Sequence, residues 1–458
     1  MSSWKEYKLG EIATFYNGRA YKNTEFKVSG TPIVRIQNLT GEGKIVYSDL
    51  NLDENKYIDY GDLIYAWSAT FGPYIWKGEK SIYHYHIWKI ICNEELLDKK
   101  YFYYKLKQIS DNLKDSGGNG SIFVHITKAF MENFKVKIPS LNEQKRVSSI
   151  LAYLDEKIQL NTQINQTLEQ IAQTIFKSWF IDFDPVHAKA NALANGQTAE
   201  QATQAAMAVI SGKNTQELHR LQTANPEQYQ QLWEIAEAFP CGVDEEGVPW
   251  GWESKKVGEV AKIVKGKSYK SSELAPSKTA LVTLKSFNRG GGYRLDGLKE
   301  YTGNYKEEQE VFAGDLIIAY TDVTQAADII GKPAMVMSDS CYEHLVISLD
   351  VGVVRPKNEK HKYFLYCLAM TDTFQAHTHS FCTGTTVLHL GKDAVPSFEF
   401  ILPDNKFIEL FDEFVLPIFV RINNIIEENK SLEKIRDELL PKLLSGEIYY
   451  DGDIGTIL

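Results

Sequence analysis

Histidine and cysteine are the residues from which this 458-residue chain would most directly build a reactive centre, and they cluster in three places. The stretch HTHSFC (377–382) offers His377, His379 and Cys382 as metal ligands. The preferred reading is a loop ahead of a Gly turn. YHYHI (83–87) sets His84 and His86 on one face of a strand, where polar pairing at a half-buried edge is preferred to ligation. His125 and His389 hold matching places in two similar segments. A catalytic pair is one reading; a histidine packed in each of two cores is the preferred one. NRGGGYR (288–294) is Gly-rich but lacks the spacing of a phosphate-binding or dinucleotide loop. The five cysteines, at 92, 241, 341, 367 and 382, form no C-x-x-C pair and read as free thiols in a reducing, cytoplasmic compartment.

The elements that must position these residues occur twice. WKEYKLGEIATFYNGRAYK begins at Trp4, and WESKKVGEVAKIVKGKSYK begins at Trp252. At this offset of 248, Gly10, Gly18, Tyr21 and Lys22 match Gly258, Gly266, Tyr269 and Lys270. TPIVRIQNLT then matches TALVTLKSFN, both apolar-alternating and strand-like. GDLIYAW (61–67) matches GDLIIAY (314–320), a Gly-Asp turn opening a strand; KYFYY (100–104) matches KYFLY (362–366). GSIFVHITKAFMENFKVKIPS (120–140) matches GTTVLHLGKDAVPSFEFILPD (384–404), so the offset drifts to 264 as short loop insertions would make it. Trp4 and Trp252 read as core anchors.

Each repeat is followed by a helical pattern with apolar residues three and four apart. In the first these are Val147, Leu151, Leu154, Ile158, Ile164, Leu168, Ile171, Ile175 and Trp179; in the second they run from Phe407 and Phe411 to Leu439 and Leu443. Asn161, Asn165 and Asn429 fall near this seam, either fixing its register or lying exposed. The expected class is α+β: two repeated domains separated by two long antiparallel coiled-coil helices, in a pseudo-twofold, circular arrangement. The expected boundaries are a first repeat at 1–140, a helix at 141–180, an Ala/Gln-rich linker at 181–249, a second repeat at 250–403, a helix at 404–448 and a tail at 449–458. Short helices are expected near Thr198–Ile210 and Pro226–Ala238. The net charge is −10, but the repeats are near neutral: 19 basic against 16 acidic residues in 1–140, and 18 against 18 in 250–403. The acid lies in 181–249 and 404–458, so each repeat can still turn a basic face to phosphates. No apolar run is long enough to span a membrane and no apolar leader opens the chain, so neither a membrane nor secretion is expected.

This layout resembles the specificity (S) subunit of type I restriction-modification systems. The phrases that carry the resemblance are WKEYKLGEIATFYNG, IVRIQNLT, GDLIYAWSATFG, IPSLNEQKRVSSILAYLDEKI and FKSWFIDFDPVHAK, then VPWGWESKKVGEV, GDLIIAYTDVTQ, GTTVLHL and LLPKLLSGEI. The second helix departs from the LNEQKRV opening, reading DNKFIELFDEF. The resemblance implies two target-recognition domains that read the halves of a split, asymmetric double-stranded DNA site. It also implies central helices that dock two methyltransferase subunits, and up to two restriction-translocase subunits that join them. It implies no catalysis and no cofactor in this chain, S-adenosylmethionine, ATP and Mg belonging to the partners. The alternatives are a metal-dependent nuclease built on His377, His379 and Cys382, and a coiled-coil adaptor that never touches DNA.

Two copies of one scaffold that read different half-sites must differ at the reading positions. Arg35-Ile36-Gln37-Asn38 aligns with Thr283-Leu284-Lys285-Ser286. Arg and Lys favour guanine edges, and Gln and Asn favour adenine. The candidate DNA contacts are Lys22, Arg35, Gln37, Asn38, Trp67 and Ser68 in the first repeat. In the second they are Lys267, Lys270, Lys285, Ser286, Asn288, Arg289, Thr321 and Asp322.

Overall fold

The computed structural model describes residues 4–40, 44–68, 71–116, 126–323, 327–337 and 339–448, without side chains at 115 and 116. The chain forms two compact units: residues 1–160 with 429–458, and residues 161–428.

In the first unit the opening strand Lys5–Lys8 pairs antiparallel with the closing strand Lys135–Ile138. A helical turn, Leu9–Ile12, comes next; the Lys8 amide donates to the Glu11 carboxylate at 2.9 Å. A Cβ at Gly10 would meet Glu132 at 3.2 Å, so a side chain there would require the neighbour to give by a few tenths of an ångström. One four-stranded sheet has the order Ala13–Asn17, Ile87–Cys92, Leu63–Ala66, Gly72–Ile75. A second has the order Val46–Ser48, Thr31–Val34, Ser81–Tyr83, Tyr57–Ile58, with Ile33 and Ile82 in a parallel pair. Strand Leu63–Ala66 is buried on both faces. Leu63 and Tyr65 pack with Phe102 and Leu106 of helix Lys99–Ser116, while Ile64 packs with Val34 and Ile58 of the other sheet. Each such side chain contributes roughly 1.5–3 kcal/mol by leaving water.

The second unit repeats this strand for strand. Glu253–Lys256 pairs with Glu399–Leu402. The sheets run Ala261–Lys265, Val351–Pro356, Leu316–Ala319, Pro333–Met335, and Lys299–Glu300, Thr279–Val282, His344–Ile347, Glu310–Val311. A small third sheet joins Thr321–Asp322, Leu388–Leu390 and Cys382–Thr383.

The two helical patterns are continuous helices, Leu141–Phe180 and Asn405–Ser445, each about 60 Å long at 1.5 Å per residue. Within each unit their segments run antiparallel. Asn165 Nδ2 donates to the Ile422 carbonyl, and Asn429 Nδ2 to the Ile158 carbonyl, each at 3.4 Å. Both residues of the one contact sit 264 positions from those of the other, so the same register is written twice. Asn161 is buried, and Asn165 and Asn429 are half-buried; the exposed alternative is set aside. The seam itself departs from the expected stripe: Ile171 is exposed, whereas Ala172 and Phe176 are buried with Phe364 and Phe411. The inward face has rotated because this segment packs on a globule as well as on the partner helix. Ile435 is likewise exposed and Leu440 and Leu444 buried.

A repeated tyrosine ties globule to helix in both units. Tyr104 donates to Asp155 at 2.8 Å, and Asp155 also receives Arg436 at 2.9 Å. Tyr366, the match of Tyr104 at offset 262, donates to Glu169. Burial raises the Glu169 carboxyl above its ordinary range and the Tyr366 hydroxyl opposes that rise. The tryptophans also meet helix ends. Trp252 is buried against Phe180, Phe183 and Phe407. Trp4 is only half-buried and lies against Gly446, where a Cβ would come within 2.7 Å of its ring.

The linker carries four helices, Asp184–Ala194, Ala199–Ser211, Thr215–Ala224 and Pro226–Ala238. The first and third are additions to the sequence expectation. Thr198, Asn214 and Asn225 accept the N-terminal amides of the last three. The acidic linker also buries a cation: Lys189 Nζ donates to the carbonyls of Ala236, Glu237 and Phe239 at the end of the last helix.

Gly18 and Gly266 give the sharpest steric test. A Cβ would lie 2.2 Å from the His84 carbonyl oxygen in one repeat and 2.1 Å from that of Ser348 in the other. Gly18→Ala and Gly266→Ala should each destabilise the folded chain by about 1–3 kcal/mol or more. Thermal unfolding checks this, and an unchanged melting temperature in either variant would contradict it.

Candidate nucleic-acid interface

Four segments converge where the parallel strands Thr31–Val34 and Ser81–Tyr83 end in the first unit. The turn His84–Tyr85–His86 is held by a set of backbone hydrogen bonds, to which the Trp67 indole adds one. The His84 amide donates to Val34 (2.9 Å), the Tyr85 amide to Arg19 (3.1 Å), and the Ile87 amide back to His84 (2.9 Å). The Trp67 amide donates to the His86 carbonyl at 3.1 Å. The histidines therefore lie in a tight turn between strands, which corrects the expected strand face.

The second unit builds the same turn at Ser348–Leu349–Asp350. The amides of Ser348, Leu349 and Val351 donate to Val282 (3.0 Å), Lys267 (2.8 Å) and Ser348 (2.9 Å), and the Tyr320 amide donates to Asp350 (2.7 Å). The backbone is the same bond for bond in the two repeats, while His-Tyr-His is replaced by Ser-Leu-Asp.

The first-unit turn is surrounded by aromatic rings. Trp67 stacks on Trp88 at 6.2 Å and sits 5.1 Å from His86, with its indole N–H on the Tyr85 carbonyl at 2.8 Å. His84 and His86 lie 4.9 Å apart, and Tyr21 lies 6.5 Å from His84. Burial, then His86 and Arg35, pushes the His84 imidazole down to about 4, so it is neutral at pH 7. Arg19, the match of Lys267, pairs with Glu25 at 2.7 Å beside Tyr21.

The sequence-predicted contacts divide by environment. Lys22 and Lys270 are exposed at the start of equivalent turns, their amides held by Glu25 and Glu273. Arg35 is half-buried and donates to the Lys44 carbonyl at 2.7 Å; Gln37 is exposed beside it. The segment 35–38 is a helical turn rather than a strand, because Asn38 Oδ1 caps the Arg35 amide at 2.9 Å. Trp67 and Ser68 are half-buried at the edge of the same region. In the second unit Lys270, Lys285, Asn288 and Arg289 are exposed, and Arg289 lies 3.9 Å from Asp328. Lys267 is half-buried and donates to the Asn304 carbonyl.

Three candidates belong to the fold instead. Ser286 is fully buried and its hydroxyl caps the Thr283 amide, the role Asn38 has in the first repeat. Thr321 is buried in a strand opposite His389. Asp322 is buried and accepts the amides of Ile329 (2.8 Å) and Ile330 (3.3 Å). The polar atoms of Ser286 and Asp322 serve local backbone, and burial removes all three residues from a surface. The turn residues that sequence reasoning passed over are Tyr85, His86, Leu349 and Asp350. The available signal was the offset-264 match of Ile87 with Val351, which frames two unlike tripeptides.

The metal and phosphate readings also resolve. His377 and His379 lie on a helix, Asp372–Ser380, and not in a loop. His377 contacts Ser397 at 3.1 Å, and Cys382 points to the Thr378 carbonyl at 3.7 Å. Among the described residues no group of three or more His, Cys, Asp or Glu is placed to hold a metal ion. His389 is exposed, not packed in a core, and His125 lies outside the described residues. Gly290, Gly291 and Gly292 all have positive φ, so the NRGGGYR glycines serve a tight turn.

The chain matches the family model for the type I restriction modification DNA specificity domain at residues 1–170 and again at 249–427. The HindI specificity subunit of Haemophilus influenzae is 31% identical over 98% of this chain and 100% of its own. The chain belongs to the type I restriction-modification specificity family. The MjaIX specificity subunit of Methanocaldococcus jannaschii is 27% identical over 76% of this chain and 68% of that protein. A solved S subunit from M. genitalium covers 99% of this chain and 97% of its own at a TM-score of 0.45 and 12% identity. In this family the specificity subunit supplies recognition and not catalysis. The two matched segments coincide with the two copies of the turn scaffold, and residues 171–248 fall between them.

Native His84 should titrate near pH 4, so the stability gained from keeping it neutral is complete above the free value of 6.5 and is lost as pH falls from there through about 4. Imidazole NMR shifts traced from about pH 7.5 down to 4 check this. A His84 midpoint at or above the free value of 6.5 would contradict it.

Proposed function

We propose that this chain is the specificity subunit of a type I restriction-modification complex whose first repeat reads one half of a bipartite double-stranded DNA target and whose second repeat reads the other. The observation that carries this reading is the doubled scaffold with matched backbone and unlike side chains at one turn. One framework presenting two chemistries is what an asymmetric target requires. Exposed Lys22, Lys270, Lys285 and Arg289 supply phosphate contacts, and the turn and its neighbours supply base contacts.

The two long helices serve as the spacer and as the docking surface for two methyltransferase subunits, with up to two restriction-translocase subunits added to them. S-adenosylmethionine, ATP and Mg act in those partners. The complex works in the cytoplasm; among the described residues no helix is long and apolar enough to cross a membrane. The acidic stretch with Asp244, Glu245 and Glu246 faces partner protein rather than DNA.

Exchange of residues 1–140 for the corresponding domain of another specificity subunit should alter one half of the methylated site and leave the other intact. Methylation mapping reads the result; loss or retention of both halves counts against the reading. Insertion of four residues into one long helix rotates its distal part by about 40° and adds roughly 6 Å. The recognised spacing should change or binding should be lost, and an unaltered spacing would show that the helix does not set it.

A further inference from the structure

We infer that the second and third residues of the repeated turn, Tyr85-His86 in the first repeat and Leu349-Asp350 in the second, discriminate between bases in their respective half-sites. This inference rests on the proposed function and assigns its specificity to particular side chains.

The backbone hydrogen bonds common to the two turns do not depend on which side chains stand at the second and third positions. The turn's amides and carbonyls are spent on Val34, Arg19 and Trp67 in one copy and on Val282, Lys267 and Tyr320 in the other. Gly18 and Gly266 back the first carbonyl of each turn so closely that its position cannot drift. The second residue is then the most outward: Tyr85 is 40% and Leu349 53% exposed. A leucine half in water at the end of a sheet contributes little to packing, and a base methyl would cover it. The third residue is half-buried beside the ring or backbone of 67 or 320 and so has a fixed direction.

The chemistries differ as two half-sites require. Leu349 suits the thymine methyl group, and Asp350 accepts a hydrogen bond from a base amino group such as cytosine N4. A carboxylate at a phosphate-facing surface is repelled by the backbone, so its favourable use there is with a base amine. Tyr85 and His86 instead offer two aromatic rings, 3.8 Å apart between centroids, with a phenol hydroxyl and imidazole nitrogens as polar groups.

The test uses the full chain assembled with its methyltransferase subunits, and a DNA library randomised over both half-sites. The variants are Y85L/H86D and L349Y/D350H, each placing in one repeat the pair that the other repeat carries on the same backbone. Y85L/H86D should change base preference by about 10-fold or more at one or two positions of one half-site only. L349Y/D350H should do so in the other half-site only. Unchanged preferences in both variants overturn the inference. So does a uniform loss of affinity across all sequences, which marks a phosphate-positioning role. A melting transition lost in either variant also overturns it, because the turn would then be part of the fold. If the unaltered complex shows no two-part preference, the proposed function itself fails, and that outcome is read without the variants.

Discussion

The two equivalent turns, His84–Tyr85–His86 and Ser348–Leu349–Asp350, stand where they do because two glycines leave no room for a side chain. At Gly18 and Gly266 the backbone passes under the carbonyl of the first turn residue at a distance no Cβ tolerates. That approach lets the next residue, Arg19 or Lys267, exchange backbone hydrogen bonds with the turn, giving the parallel bridges Arg19–His84 and Lys267–Ser348. The bonds common to the two turns are thereby made by atoms every non-proline residue possesses, with the Trp67 indole added in the first unit. Side chains at the tip of each turn are released from structural duty, and the two copies have diverged there while keeping the same hydrogen bonds.

A second constraint carries that fixed geometry to the long helices. Tyr104 and Tyr366, the same position in the two repeats, each place a hydroxyl on a carboxylate of helix Leu141–Phe180. In the first unit Arg436 of the other helix joins the same carboxylate, Asp155. Asp155 and Glu169 are both half-buried, so removal of a hydroxyl or guanidinium partner would leave a partly desolvated carboxylate short of a hydrogen bond. The side chains of the seam asparagines reach equivalent carbonyls across the helix pair and disfavour a slipped register.

Much of this is legible in the sequence. The repeat, the long helices and the strands Leu63–Ala66 and Leu316–Ala319 declare themselves through periodicity and matched glycines. Other features are hidden for identifiable reasons. Ser286 and Asp322 look like surface polar residues, but capping chemistry hides them, and a cap is recognisable only once the turn is known. The stripe on the first helix reads as a two-helix seam, whereas contact with a globule turns Ala172 inward and Ile171 outward. Helix Thr215–Ala224 is short and mostly exposed, so its apolar pattern is weak and its Asn214 and Glu217 cap is the better signal. Tyr85 and Leu349 escape because a search for repeated residues passes over the positions where two copies disagree.

The central claim is that one chain carries two independent readers on one doubled scaffold. The most direct measurement is the methylated motif in the genome of a host carrying this chain with its methyltransferase partner. The predicted result is two short defined sequences of different composition, separated by a fixed number of unspecified base pairs. A single uninterrupted motif, or two halves that are identical inverted copies, would contradict it.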